Sequence, residues 1–261
     1  MAISPNTDNY TLGKGVVFFD QLVDGVFQGE RDLGNAPAFT FNIALETLEH
    51  FSSRGGLKAK DKEIISQITP GLAFTLDEVN KENLALLTLG DTTLVTQTSG
   101  SAVAEEVVAH LDLRSDLAYR GVSNVVVKDE TDTTTYVLDT DYKIDTTLSD
   151  DKIGRIFIMS SGSITEGDTL HIDYDYAGLT YTNISAFANT QITGKLRFVS
   201  DNPAGQQQEL EVWTVSLVPA GDTALIGDDW STLGFTGEIL KDETNHPLSP
   251  YMNIIMDQVA T

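Results

Sequence analysis

Between residues 36 and 46 the chain alternates residue by residue, with Phe39, Phe41, Ile43 and Leu45 on one parity and Thr40, Asn42, Ala44 and Glu46 on the other. Successive side chains of a strand point to opposite faces, so this stretch predicts a strand with one buried and one wet face. The pattern returns at residues 68–76, where Ile68, Leu72, Phe74 and Leu76 oppose Thr69, Ala73 and Thr75. Pro70-Gly71 inside the second run predicts a bend or bulge. The two runs read as an antiparallel pair. The long loop between them carries Arg54, Lys58, Lys60 and Lys62, a quarter of the 16 basic residues in the chain.

Downstream, Asp77 stands where a helix N-cap is expected and Glu78 in the first turn. Leu84, Leu86, Leu87 and Leu89 follow before Gly90 can end the segment. This is the one helix the sequence predicts. Strand-like runs resume at 92–97 and 102–113, and the texture then changes. From 112 to 178 come short β-rich pieces (NVVVK, TTTYVL, YKID, GRIFIM and DTLHIDYDY) separated by turn clusters such as LSDDKIG. Strands at this spacing without a helix predict a small β-sandwich. Longer strands return with GKLRFVS (194–200) and ELEVWTVSLVP (209–219). The organisation expected is a discontinuous host domain, 1–111 and 179–261, interrupted by an inserted β-domain at 112–178.

Composition restricts function more than fold. The 261 residues carry a net charge of -23, which disfavours tight binding to nucleic-acid phosphates or anionic membranes. No cysteine is present, which removes disulfides and thiolate metal sites. No apolar run approaches the roughly 18 residues of a membrane span. The opening MAISPNTDNYTLGKG lacks the basic and apolar regions of a secretory signal, so cytosolic synthesis is expected.

Enzyme signatures are missing: there is no GxSxG, P-loop, HExxH or GxGxxG opening a helix. His50, His110, His171 and His246 are scattered. His171, Asp173 and Asp175 alternate onto one side of a strand and could touch a cation, but they also fit the solvated face of a strand whose other side is Ile172, Tyr174 and Tyr176. The pairs Asp139/Asp141 and Asp228/Asp229 lack the frame of a calcium loop. No catalytic residue, metal ligand or cofactor is expected. The basic loop has two readings, a lysine-rich turn that keeps a hairpin soluble, or a contact for an acidic surface. The nearest abundant acidic surface is another copy of the chain, and such a head-to-tail contact generates rings or filaments.

The segments GKGVVFFD (13–20), GERDLGNAPAFTFNIALETLEHFSS (29–53), DEVNKENLALLTLG (77–90), GKLRFVSDNPAG (194–205) and WSTLGFTGEIL (230–240) follow one another in an order that resembles the major tail tube proteins of long-tailed bacteriophages. The resemblance covers about two thirds of the chain. It implies a mainly β fold: a tail-tube β-barrel or sandwich with one helix packed outside, plus an immunoglobulin-like β-sandwich inserted at 112–178. It further implies a structural virion protein, made in the bacterial cytoplasm, that stacks as hexameric rings into a tube conducting double-stranded DNA during ejection, without tight DNA binding or membrane insertion. Thr40, Asn42, Ala44, Glu46, Thr69, Ala73 and Thr75 would line the channel, and Arg54, Lys58, Lys60 and Lys62 would lie on the loop between rings. Partners implied are other copies, the tape measure, the tail terminator and the distal tail protein. The alternative is an extracellular β-rich adhesin or carbohydrate-binding module with calcium-binding turns. A β-rich hydrolase has only scattered carboxylates in its favour.

Overall fold

The structure, a computed structural model, describes residues 7–144 and 154–256. Asp145 and most of the LSDDKIG turn lie outside the described residues. In chain order the elements are β1 Gly15–Val23, β2 Val26–Phe27, β3 Arg31–Asp32, β4 Ala38–Ser52, β5 Ala59–Leu76, α1 Lys81–Leu87, β6 Asp91–Gln97, β7 Gly100–Val108, β8 Arg114–Asp116 and β9 Val122–Asp129, then β10 Tyr142–Ile144, β11 Arg155–Ile158, β12 Thr169–Tyr176, β13 Leu179–Ser185, β14 Ile192–Ser200, β15 Gln208–Pro219, β16 Leu233–Ile239 and β17 Met252–Met256. A 3-10 turn, Thr7–Asn9, precedes them. The fold is mainly β, with α1 the one α-helix among the described residues. No helix among them is long and apolar enough to cross a membrane.

The chain divides into two compact units, one of residues 1–92 and 184–261, the other of residues 93–183. The second unit is therefore wider than the 112–178 read from the sequence. The reason is pairing: β7 lies antiparallel to β12, with Thr169 opposite Val108 and Leu170 opposite Val107, so 100–108 belongs with the later strands.

The first unit is built on a nine-stranded antiparallel sheet with the path β2-β1-β14-β15-β16-β5-β4, to which β3 and β17 add at β1 and β15. Alternation sets its core. Leu72, Phe74 and Leu76 of β5, Leu233, Phe235 and Ile239 of β16, and Val215 and Leu217 of β15 all point to one side and are buried. The sheet curls enough for Phe39 of β4 to stack on Phe198 of β14, with ring centroids 5.1 Å apart, and Phe74 stacks on Phe235 at 5.0 Å. Gly237 faces this core because it must: a Cβ there would lie 2.6 Å from Val215 and 3.0 Å from both Leu217 and Leu72.

The helix α1 adds Leu86 to the same core. It starts later than expected, with Asn80 rather than Asp77 as N-cap, accepting from the Asn83 backbone N–H. The buried Asn83 side chain explains the shift. Its amide donates to the carbonyls of Leu33 and Glu78, at 2.8 and 2.9 Å, which ties the preceding residues to an extended path. Asp77 instead accepts from the Asn35 side chain.

In the second unit two three-stranded antiparallel sheets, β10-β11-β8 and β7-β12-β9, share one core containing Val127, Tyr142, Ile156, Ile158, Leu170 and Ile172. The TTTYVL segment forms no strand and makes only the isolated bridges Lys128↔Thr135 and Leu138↔Tyr142. The strands β6 and β13 pair with each other where the chain passes between the units. Excising 98–178 and closing β6 to β13 with a tight turn is expected to leave the first unit folded and soluble. Excising only 114–178 strands β7 without β12, and the exposed edge is expected to send the product to the insoluble fraction. Equal solubility of the two deletions would contradict this division.

Two carboxylates tie turns of the second unit. Asp141, 4% exposed, accepts from the backbone N–H groups of Val137 and Ser163, both at 2.7 Å, and these bonds hold its carboxyl below the usual range. Asp129 accepts from the N–H groups of Thr134 and Thr133, which with the Thr131 and Thr133 hydroxyls hold it down to about 2 from an ordinary 3.8. Both groups bind protons less readily folded than unfolded, so each contributes stability above the ordinary carboxylate range that is lost on acidification, for Asp129 as pH falls from about 4 toward about 2. Protection of the buried Val127 and Ile172 amides against hydrogen exchange is expected to drop through that window. Asp141→Ala is expected to cost about 2 kcal/mol at neutral pH by removing the charged acceptor of two backbone N–H groups, and to flatten the pH dependence. An unchanged profile would remove Asp141 from this role.

Candidate functional site

The sheet of the first unit has a second face, which across β4, β5 and β16 is made of small and polar residues, whereas on β1 and β14 it carries Phe18, Lys195 and Arg197. Residues opposite one another in antiparallel strands share a face. One row across the sheet reads Asn42, Gly71, Glu238, Ser216 and Thr193, and the next Thr40, Ala73, Thr236 and Val218. Ala44 stands opposite Thr69, Glu46 opposite Gln67, and Thr75 opposite Ala38. All seven residues expected to form the wet face are thereby brought together. The Thr40 hydroxyl donates to the Ala73 carbonyl at 3.2 Å. Gly71 leaves room for the Asn42 side chain, since a Cβ there would lie 2.8 Å from Asn42 Oδ1. Gly234, Thr236 and Glu238 were not singled out from the sequence, although LGFTGEI alternates as plainly as β4 does. These rows hold two carboxylates, Glu46 and Glu238, and no ammonium or guanidinium group.

The strands β4 and β5 are much longer than the alternation at 36–46 and 68–76 indicated, and they outrun the rest of the sheet. Pairing of β5 with β16 ends at Gly71 opposite Glu238. Pro70 is thus not a bulge; it marks the point beyond which β5 has only β4 for a neighbour. The bulges lie farther out, where the register shifts between Glu46 and Thr47 and again between His50 and Phe51. Beyond Pro70 nine residue pairs, spanning roughly 30 Å at strand rise, form a two-stranded ribbon.

This ribbon departs from the expectation of one buried face. Phe41, Ile43 and Leu45 continue the parity of the core, yet they are 47%, 53% and 52% exposed. Ile68, opposite Leu45, is exposed as well. Past the bulge apolar residues occupy both sides: Ile65, opposite Thr47, keeps the face of Leu45, and Ile64, opposite Leu48, takes the other. Leu48, Phe51, Ile64 and Ile65 are all exposed. The outer ribbon therefore exposes apolar residues on both sides, Leu48 and Ile64 standing beyond the polar Ala44, Thr69, Glu46 and Gln67 on one of them. Two-stranded ribbons are marginally stable alone, and exposed apolar faces of this length mark contact surfaces.

The basic residues divide between two settings. The loop is short, residues 53–58, and holds only Arg54 and Lys58. Lys60 and Lys62 sit on β5, opposite Phe51 and His50, because strand pairing persists farther than the sequence indicated. Lys60 bonds Glu49 at 2.6 Å and also Glu63, and these contacts raise its pKa. His50 bonds Asp61. Lys60 is thus paired within its own ribbon.

The family comparison follows the whole of this architecture. A family model described as "Protein of unknown function UCP028589" matches residues 10–255. The chain belongs to that family. The match runs through both units, so the interrupted arrangement lies within the span of family UCP028589. No curated protein matches the chain.

In this UCP028589 member, the carboxylates that suggested a cation site in the second unit are engaged by neighbours. Asp173 accepts from Lys128 Nζ and the Ala104 N–H, both at 2.7 Å, and Asp175 from Ser101 and Asn124. His171 Nδ1 lies 3.1 Å from Asp132. Ile172 and Tyr174 fill the opposite, buried side of β12. Asp141 is tied as described, whereas Asp228 and Asp229 are exposed in the 220–232 loop. Among the described residues no group of three or more His, Cys, Asp or Glu is arranged to hold a metal ion.

Proposed function

We propose that this chain is the repeating subunit of a tubular polymer that conducts double-stranded DNA, as the resemblance to phage tail tube proteins implies. The observation that carries the reading is the outer β4–β5 ribbon, which leaves apolar residues of both faces uncovered in a single copy. A ribbon of this kind is stable when neighbouring copies cover it, and closure of strands across copies removes the sheet edge that β4 otherwise presents. The small, polar and acidic rows of the sheet suit the channel wall, because carboxylates and short side chains offer a duplex no phosphate contact at which to stall.

In this reading the rings are hexameric and stack into the virion's tail, with terminator, tape measure and distal tail proteins as the other partners. The second unit is an immunoglobulin-like decoration carried on the tube. The chain acts structurally rather than catalytically. Sedimentation velocity and negative-stain microscopy of the purified chain test the proposal. Concentration-dependent rings or tubes are the expected result, and a folded monomer at every concentration would refute it.

A further inference from the structure

The loop between β15 and β16, residues 220–232, leaves three large apolar side chains almost wholly in solvent: Leu225 at 87% exposure, Ile226 at 97% and Trp230 at 93%. The loop has a closed neck, where the Ala220 N–H donates to the Gly234 carbonyl at 2.9 Å, and the Ser231 hydroxyl donates to the Ala224 carbonyl at 2.8 Å. Asp222, Asp228 and Asp229 lie on the same loop, which holds no basic residue. The tip of the β4–β5 ribbon is its complement in kind. Residues 53–58 carry Arg54 and Lys58 without an acid, around Leu57 at 86% exposure.

These two surfaces lie at opposite ends of one strand. β5 starts at Ala59, next to the tip, and ends at Leu76, opposite Leu233, the residue that follows the loop. Eighteen residues of strand separate them by about 58 Å. We propose that the basic tip of one copy docks on the apolar and acidic 220–232 loop of the next copy along the β5 axis, Leu57 entering among Leu225, Ile226 and Trp230. This contact rests on the tubular assembly proposed above and supplies its stacking partner. Because the two surfaces differ and sit at opposite ends, the contact is heterologous and propagates, leaving free tips at one end of the polymer and free loops at the other. Single exposed ion pairs are weak, but the contact recurs for every copy in a layer, so its effect multiplies.

The chain contains no cysteine, which makes the contact directly testable. Leu57→Cys and Ile226→Cys in one chain, oxidised after polymerisation, are expected to give a covalent ladder of dimers, trimers and longer species on a denaturing gel. Either single variant is expected to stay monomeric on the gel. A second measurement needs no cysteine. With Trp213→Phe, Trp230 is the sole tryptophan, and its emission is expected to shift to the blue on assembly. Tubes that form without the ladder and without the shift overturn this contact and leave the tubular reading standing. Dimers from Leu57→Cys alone show tip-to-tip contact and overturn it too. A folded wild-type chain that forms neither tubes nor rings overturns both.

Discussion

Replacing Ile43, Leu45 and Ile68 together by threonine is expected to abolish polymer at concentrations where the parent assembles, while leaving the subunit folded. Each of the three is already about half exposed in a single copy, at 53%, 52% and 46%, so the subunit has little to lose. Threonine keeps the strand preference of the ribbon. Covering the exposed half of each side chain contributes about 1 kcal/mol to assembly, or about 3 kcal/mol per subunit, which corresponds to a rise of roughly 100-fold in the concentration needed for polymer. The unfolding free energy is expected to change by less than about 1 kcal/mol in total. A triple variant that polymerises normally but unfolds several kcal/mol more easily would mean that these residues belong to the subunit's own core.

Glu46→Lys acts on the other face. Glu46 stands opposite Gln67 on the small, polar side of the sheet, exposed to solvent. If this side lines a channel, the substitution places one lysine per copy along the DNA path, and each new phosphate contact steepens the salt dependence of binding by about 0.9 in log-log slope. Polymer of the variant is expected to bring down double-stranded DNA at low salt and release it at high salt, whereas the parent polymer brings down none in either condition. Equal, salt-independent recovery of DNA with parent and variant would place Glu46 away from the duplex.

The inner part of this face was legible because residue-by-residue alternation is a direct record of which side is buried. Phe39, Leu72 and Phe74 against Thr40, Ala73 and Thr75 assign β4 and β5 their faces correctly. The outer ribbon was not legible for a physical reason. On β4 the apolar residues Leu45, Leu48 and Phe51 are three apart and so change sides, while two bulges on β5 each add a residue opposite them, and a ribbon that serves both faces no longer alternates. Lys60 and Lys62 therefore look like loop residues in the sequence although both belong to β5. The edge of the second unit escaped notice because the AVAEEVV run belongs to β12 through pairing, which local composition does not encode. Asp77 has the chemistry of an N-cap, but the bonds of Asn83 to Leu33 and Glu78 decide where α1 begins, and one of them spans 50 residues of chain. The 220–232 loop reads from sequence as a Gly/Asp-rich link; only its exposure in the fold distinguishes Leu225, Ile226 and Trp230 from ordinary core residues.

Electron cryo-microscopy of the polymer formed by the purified chain tests the central claim most directly. The expected map is a hollow tube, wide enough for a duplex, in which the β4–β5 face bearing Thr40, Asn42, Ala44, Glu46, Thr69, Ala73 and Thr75 lines the channel of every layer and the outer ribbon is covered by neighbouring copies. A filament without a channel, a tube with that face turned outward, or grids holding only single folded chains at high concentration would contradict it.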